Sequence, residues 1–89
     1  MEECDMETRI GQITHYYNLI NVAVLSLESE LKVGDTIHIS GHTTDFAQIV
    51  SSMEIEHKKI QVAGSGSDVA LKVLNPVRNG DQIFKVIED

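Results

Sequence analysis

Six short runs in which apolar and polar residues alternate, each bounded by turn-forming residues, limit this chain to very few folds. They read "RIGQITHYY", "NVAVLSL", "DTIHIS", "AQIVSSMEI", "DVALKVL" and "DQIFKVI". Ile37 and Ile39 alternate with Thr36 and His38; Ile49, Met53 and Ile55 with Gln48, Ser52 and Glu54; Val69, Leu71 and Val73 with Ala70 and Lys72. A repeat of two turns one face of a strand inward and leaves the other wetter. The best helical candidate, "SLESELK", is stopped by Gly34 after too few residues, so a turn is expected there. Short strands about ten residues apart imply an antiparallel barrel or sandwich.

The expected fold is therefore all-β, a small six-stranded antiparallel β-barrel, closed or partly closed, which protects strand edges from aggregation. Its expected core is Ile13, Val22, Val24, Ile37, Ile39, Ile49, Met53, Ile55, Val69, Leu71, Val73 and Phe84, with the faces of the second and last strands left open. A weak internal echo locates two strand starts. "LKVGDTI" and "VRNGDQI" share the order apolar, basic, any, Gly, Asp, any, Ile, and "GSGSDVAL" repeats it loosely. Gly supplies the positive φ of a tight turn, and Asp is expected to bond its own following backbone.

Charge divides the chain. Of 14 acidic residues, Glu2, Glu3, Asp5 and Glu7 precede Thr8, leaving ten against the seven Lys and Arg. Residues 1–8 are expected to be a disordered acidic leader and residues 9–89 a single, nearly neutral domain. Such a domain lacks the basic stripe that drives salt-sensitive binding to a phosphate backbone. Cys4 is the only cysteine, so no disulfide can form within the chain. The acidic start differs from a signal peptide, and no apolar stretch approaches the ~20 residues that span a bilayer. A cytoplasmic location without membrane contact is expected.

The order Ile10-Gly11-Gln12-Ile13, Leu31 to Ile37, Ser52-Met53-Glu54-Ile55, Val69 to Val73 and Val77 to Phe84 resembles domain two of the translational GTPases. Elongation factor Tu and initiation factor two carry that barrel, and the likeness covers nearly all of Arg9 to Val86. The stretch Gly41 to His57, with Ile10 to Leu27 before it, resembles more closely the small C-terminal barrel of the collagenase-like peptidase family. Several members of that family are associated with RNA modification. The resemblance implies a stand-alone accessory domain without the family's catalytic domain, and it transfers no active site.

The residues themselves offer little chemistry. His38 and His42 lie four apart, which on a strand separates them by roughly 13 Å at about 3.3 Å per residue. A zinc ion needs its ligands within about 2.3 Å, so no metal is expected, and no cofactor. Ser40, His42 and Asp45 hold the residue types of a hydrolytic triad, but neighbours on one turn seldom converge, and no Gly-x-Ser-x-Gly elbow is present. The glycines of "GSGS" precede a strand, unlike a phosphate loop, and suit a hairpin.

The expected function is that of a non-catalytic binding module, not an enzyme. It would contact transfer or ribosomal RNA, or a protein of translation or RNA modification. A protein-interaction scaffold or homodimer is the alternative, and a small hydrolase acting through Ser40 to Asp45 comes third. The expected contact surface is His42, Thr43, Thr44 and Asp45 on one turn, Tyr16 and Tyr17 as flat rings for stacking or pocket filling, and the local cation group His57, Lys58 and Lys59. One tyrosine should face the core, since adjacent strand residues point oppositely.

Overall fold

Residues 6–87 of the chain are described by a computed structural model. They form β1 (Met6–Tyr17), β2 (Val22–Leu27), β3 (Leu31–Lys32), β4 (Thr36–Ser40) and β5 (Asp45–Ile49). The second half adds β6 (Met53–Ile55), β7 (Lys58–Ile60), β8 (Val62–Ala63), β9 (Asp68–Lys72) and β10 (Gln82–Ile87). Every ladder is antiparallel. Eight strands make one sheet in the order β5-β4-β10-β1-β2-β9-β6-β7, while β3 and β8 pair separately. The all-β antiparallel class is as expected. Among the described residues the strand count is ten rather than six, and no backbone ladder closes the large sheet.

All six expected runs contain strands, but "AQIVSSMEI" is cut in two. β5 ends at Ile49 at one edge of the sheet order, and β6 starts at Met53 near the other edge, beside β9. Between them Val50 docks on the turn before β4, donating its N–H to Asp35 O and accepting the Gly34 N–H, both at 2.8 Å. The alternation is therefore not carried across the break. Gln48 and Val50 are buried, and Ile49 is 62% exposed.

The other corrections to the core have related causes. β2 is apolar on both faces, and Ala23, Leu25 and Leu27 point inward while Val22 and Val24 lie half-exposed outside. In β10 the buried residue is Ile83, not Phe84. β1 changes phase twice, between Arg9 and Gly11 and between Ile13 and His15. Each bulge inserts a residue, so Ile10 and Ile13, three apart, both reach the core. A Cβ on Gly11 would stand 2.2 Å from Ser26 O, so the first bulge needs glycine. Ile13, Ile37, Ile39, Met53, Val69, Leu71 and Val73 are buried as expected, and Ile55 packs against the core edge.

The echoed turns are the same structure used repeatedly. The Asp35 N–H bonds Lys32 O at 3.1 Å, the Asp81 N–H bonds Arg78 O at 3.0 Å, and the Ser67 N–H bonds Gly64 O at 3.3 Å. Their third residues, Gly34, Gly80 and Gly66, have φ of 100°, 97° and 88°. This is the position at which a type II turn requires positive φ. The aspartates bond backward rather than forward: Asp35 Oδ2 accepts the Lys32 N–H at 2.9 Å and Asp81 Oδ2 the Arg78 N–H at 2.8 Å. Each carboxylate thus satisfies the amide that opens its turn.

Of the expected leader, residues 6–8 already pair in β1, opposite Ile87, Val86 and Lys85. Residues 1–5, including Cys4, lie outside the described residues. Among the described residues no helix is long and apolar enough to cross a membrane.

Candidate docking groove

Directly opposed residues of an antiparallel sheet share a face. The register sets His15 opposite Val24, Val24 opposite Ala70, Ala70 opposite Glu54, and Glu54 opposite Lys59. One row thus crosses the outer face of five strands. A second row starts with Tyr17 opposite Val22. Tyr17 follows His15 on the same face, and their rings meet at a tilt of 52° with centroids 4.3 Å apart. Between these rows and the two hairpin tips lies a groove of about 500 Å³.

Its floor and near wall are apolar: Tyr17, Ile20, Val22, Val24 and Ala70. Tyr17 is 49% and Ile20 60% exposed, and Leu19, at the tip of the β1–β2 turn, is 93% exposed. The far wall carries Glu54, Glu56, His57 and Asp68. Among the ion pairs of the described residues none includes Glu54, Glu56 or Asp68. Glu56 and His57 make the two-residue β6–β7 turn, with φ of 51° and 68°. Positive φ at both positions is the mark of a type I′ hairpin, which prefers Asn-Gly. Two residues with Cβ atoms are held there against that preference, beside the groove.

A separate polar cluster spans β1, β4 and β5. His38 Nδ1 lies 3.0 Å from each carboxylate oxygen of Glu7, and Nε2 lies 2.5 Å from Asp45 Oδ1. The hydrogen bond to Asp45, then that to Glu7, holds the imidazolium above its ordinary value of 6.5. The two carboxylates bind opposite ends of the ring, so the three side chains do not converge on one point. Among the described residues no group of three His, Cys, Asp or Glu is placed to hold a metal ion. Nearby, Arg9 bonds Gln82 through Nε and pairs with Glu28 at 2.7 Å.

The expected contact residues are only partly brought together. Tyr17 and His57 share the groove. Tyr16 is the inward tyrosine and packs against the core. Lys59 stands opposite Glu54, and Lys58 is exposed on the edge strand β7. The turn His42, Thr43, Thr44 and Asp45 lines no part of the groove. Within it Gly41 N–H bonds Thr44 O at 2.7 Å, and Thr44 is buried. Asp45 serves His38 rather than His42, which removes the orienting carboxylate from the suspected triad. The groove residues Ile20, Val22, Val24, Glu54, Glu56, Asp68 and Ala70 were not expected from sequence. The legible signal was β2 itself, since a strand apolar on both faces has a second surface to cover.

The domain shape has relatives. Two crystal structures of the C-terminal domain of a Geobacillus thermoleovorans protein described as a U32 peptidase superpose on it. One, the selenomethionine form, has a TM-score of 0.80 at 18% identity, covering 84% of this chain and 95% of that one. The other has 0.81 at 19%, covering 85% and 89%. The chain shares the fold of a U32 peptidase C-terminal domain. An uncharacterized protease of Methanocaldococcus jannaschii is 39% identical over 80 residues, which are 89% of this chain and 20% of that protein. This chain thus corresponds to a fifth of its relative's length, and protease activity is the description of the longer protein. No protein-family model matches the chain. The likeness to peptidase-family C-terminal barrels is supported; none of these relatives is described as a translation factor.

Proposed function

We propose that the domain is a non-catalytic accessory module that docks a partner protein in the groove between the β1–β2 and β6–β7 turns. The observation that carries this reading is the open apolar floor of Tyr17, Ile20, Val22, Val24 and Ala70, flanked by Leu19 at 93% exposure. A contiguous apolar patch with a polar rim is the usual sign of a protein-binding surface. Glu54, Glu56 and Asp68 on the same groove disfavour a phosphate backbone there. A partner from translation or RNA modification, in the cytoplasm, is the class to which the sequence resemblance points.

The test is site-specific photo-crosslinking in native extract, with the photoreactive residue at Ile20 and, as control, at Asn79. Nuclease-insensitive protein adducts at position 20 and not at 79 support docking. Adducts that vanish with ribonuclease, or equal yields at both positions, overturn it.

A further inference from the structure

The groove's chemistry narrows what can occupy it. Its apolar strip runs along the outward residues of β2 and β9, with Val24 and Ala70 opposed in register. Asp68, two residues before Ala70 on the same face, closes one end, and Glu54, opposite Ala70, closes the side. Glu56 extends the acidic wall to the hairpin tip. Among the described residues these three carboxylates have no ion-pair partner. Lys59 stands next to Glu54 in the row but does not line the groove, and neither does Lys58. An apolar floor beside carboxylates that make no ion pair is complementary to a segment that carries apolar and cationic side chains together.

We propose that the groove receives an extended segment of a partner protein that carries Leu-, Ile- or Val-type residues together with Lys or Arg. This rests on the docking reading above and adds the chemistry of the occupant. The apolar side chains lie over Val22, Val24 and Ala70, against the ring of Tyr17. The cations reach Glu54, Glu56 and Asp68 across the far wall. The pairing sets register and partner choice more than affinity, because these carboxylates are open to solvent screening. The chain's net charge of −7 speeds encounter with such a segment.

The experiment follows amide chemical shifts of the full chain during titration with a short peptide of mixed Leu and Lys residues. A Leu–Glu peptide of equal length and a single-stranded RNA oligonucleotide run in parallel. The expected result is saturable movement confined to Tyr17, Ile20, Val24, Glu54, Asp68 and Ala70, with the Leu–Lys peptide alone. Glu54→Gln/Asp68→Asn should weaken that binding about fivefold, as two exposed pairs of about 0.5 kcal/mol each imply. Glu28→Gln/Glu30→Gln removes the same charge outside the groove and should leave affinity unchanged. Ile20→Ser, at an exposed tip that no core contact depends on, should weaken it through the apolar part alone. Equal binding of the Leu–Glu peptide, stronger movement of the same amides by RNA, or movement that grows with protein concentration alone would overturn the proposal. An unmoved groove overturns it as well. Nuclease-insensitive adducts at position 20 together with an unmoved groove would remove only the cationic segment; loss of both removes the docking reading itself.

Discussion

Gln48 and Leu74 hold the open seam of the barrel together. The Gln48 side-chain Oε1 accepts the Leu74 N–H at 2.9 Å, and its Nε2 donates to Lys72 O, also at 2.9 Å. The primary amide thus takes the place of a backbone peptide, joining edge strand β5 to the end of β9 where no ladder runs. Gln48 is 6% exposed. Gln48→Leu should fill the same space but leave a carbonyl and an N–H without partners, destabilising by about 1–3 kcal/mol. Urea unfolding of the two proteins measures this, and loss of protection at the Leu74 amide in hydrogen exchange places it.

Gly41 touches the buried carboxylate of Asp81, so that a Cβ added there would stand 1.9 Å from Asp81 Oδ1. Asp81 cannot swing away freely, because Oδ2 holds the Arg78 amide. Gly41→Ala should therefore destabilise by about 1–3 kcal/mol, whereas Gly64→Ala, with open space around it, should be near neutral. Adding Asp81→Ala to Gly41→Ala should cost less than the two single changes together, since the clash is then gone. A double-mutant cycle by thermal unfolding reads the difference.

What could be read before the structure, and what could not, follows from range. The turns at Gly34 and Gly80 were visible because a type II turn is written in consecutive residues, and both recur with the same φ. All six expected runs became strands for the same local reason. Val22, Val24 and Ile49 were placed inside wrongly because a strand apolar on both faces, or cut by a crossover, gives no phase. Gln48, which closes the seam, looks like any polar residue of an alternating strand. The groove was hidden more deeply. Its walls come from β2, β6 and β9 and two turns, and only the register that sets Val24, Ala70 and Glu54 in one row joins them. His42 stands nearer Asp45 in sequence, yet Asp45 bonds His38. The second partner of His38, Glu7, is 31 residues away and invisible to local reading.

His38 makes part of the stability depend on pH. Its pKa is raised in the fold by Asp45 and Glu7, so the charged ring stabilises the native state. The contribution is fully present below the ordinary value of 6.5 and is lost as pH rises through the raised folded value. His38 is 25% and Asp45 81% exposed, so solvent screening should hold the effect below about 1 kcal/mol. Urea unfolding at a series of pH values above 6.5 should show the decline, and His38→Gln should flatten it. The His38 ring resonances, followed by NMR, should titrate with a midpoint above 6.5.

Glu56 and His57 set a conflict between stability and binding in one hairpin. Both occupy positive φ in a turn whose preferred pair is Asn-Gly. Glu56→Asn/His57→Gly should relax the turn and raise stability by about 0.5–1 kcal/mol, with less gain from either change alone. The same change removes one carboxylate and one ring from the wall of the groove. The double variant should therefore melt higher while binding the Leu–Lys peptide more weakly than the parent. Calorimetric melting and the peptide titration, run on the same preparation, separate the two effects. A variant that melts higher and binds unchanged would mean that the strain serves no partner and that the acidic wall ends at Glu54 and Asp68.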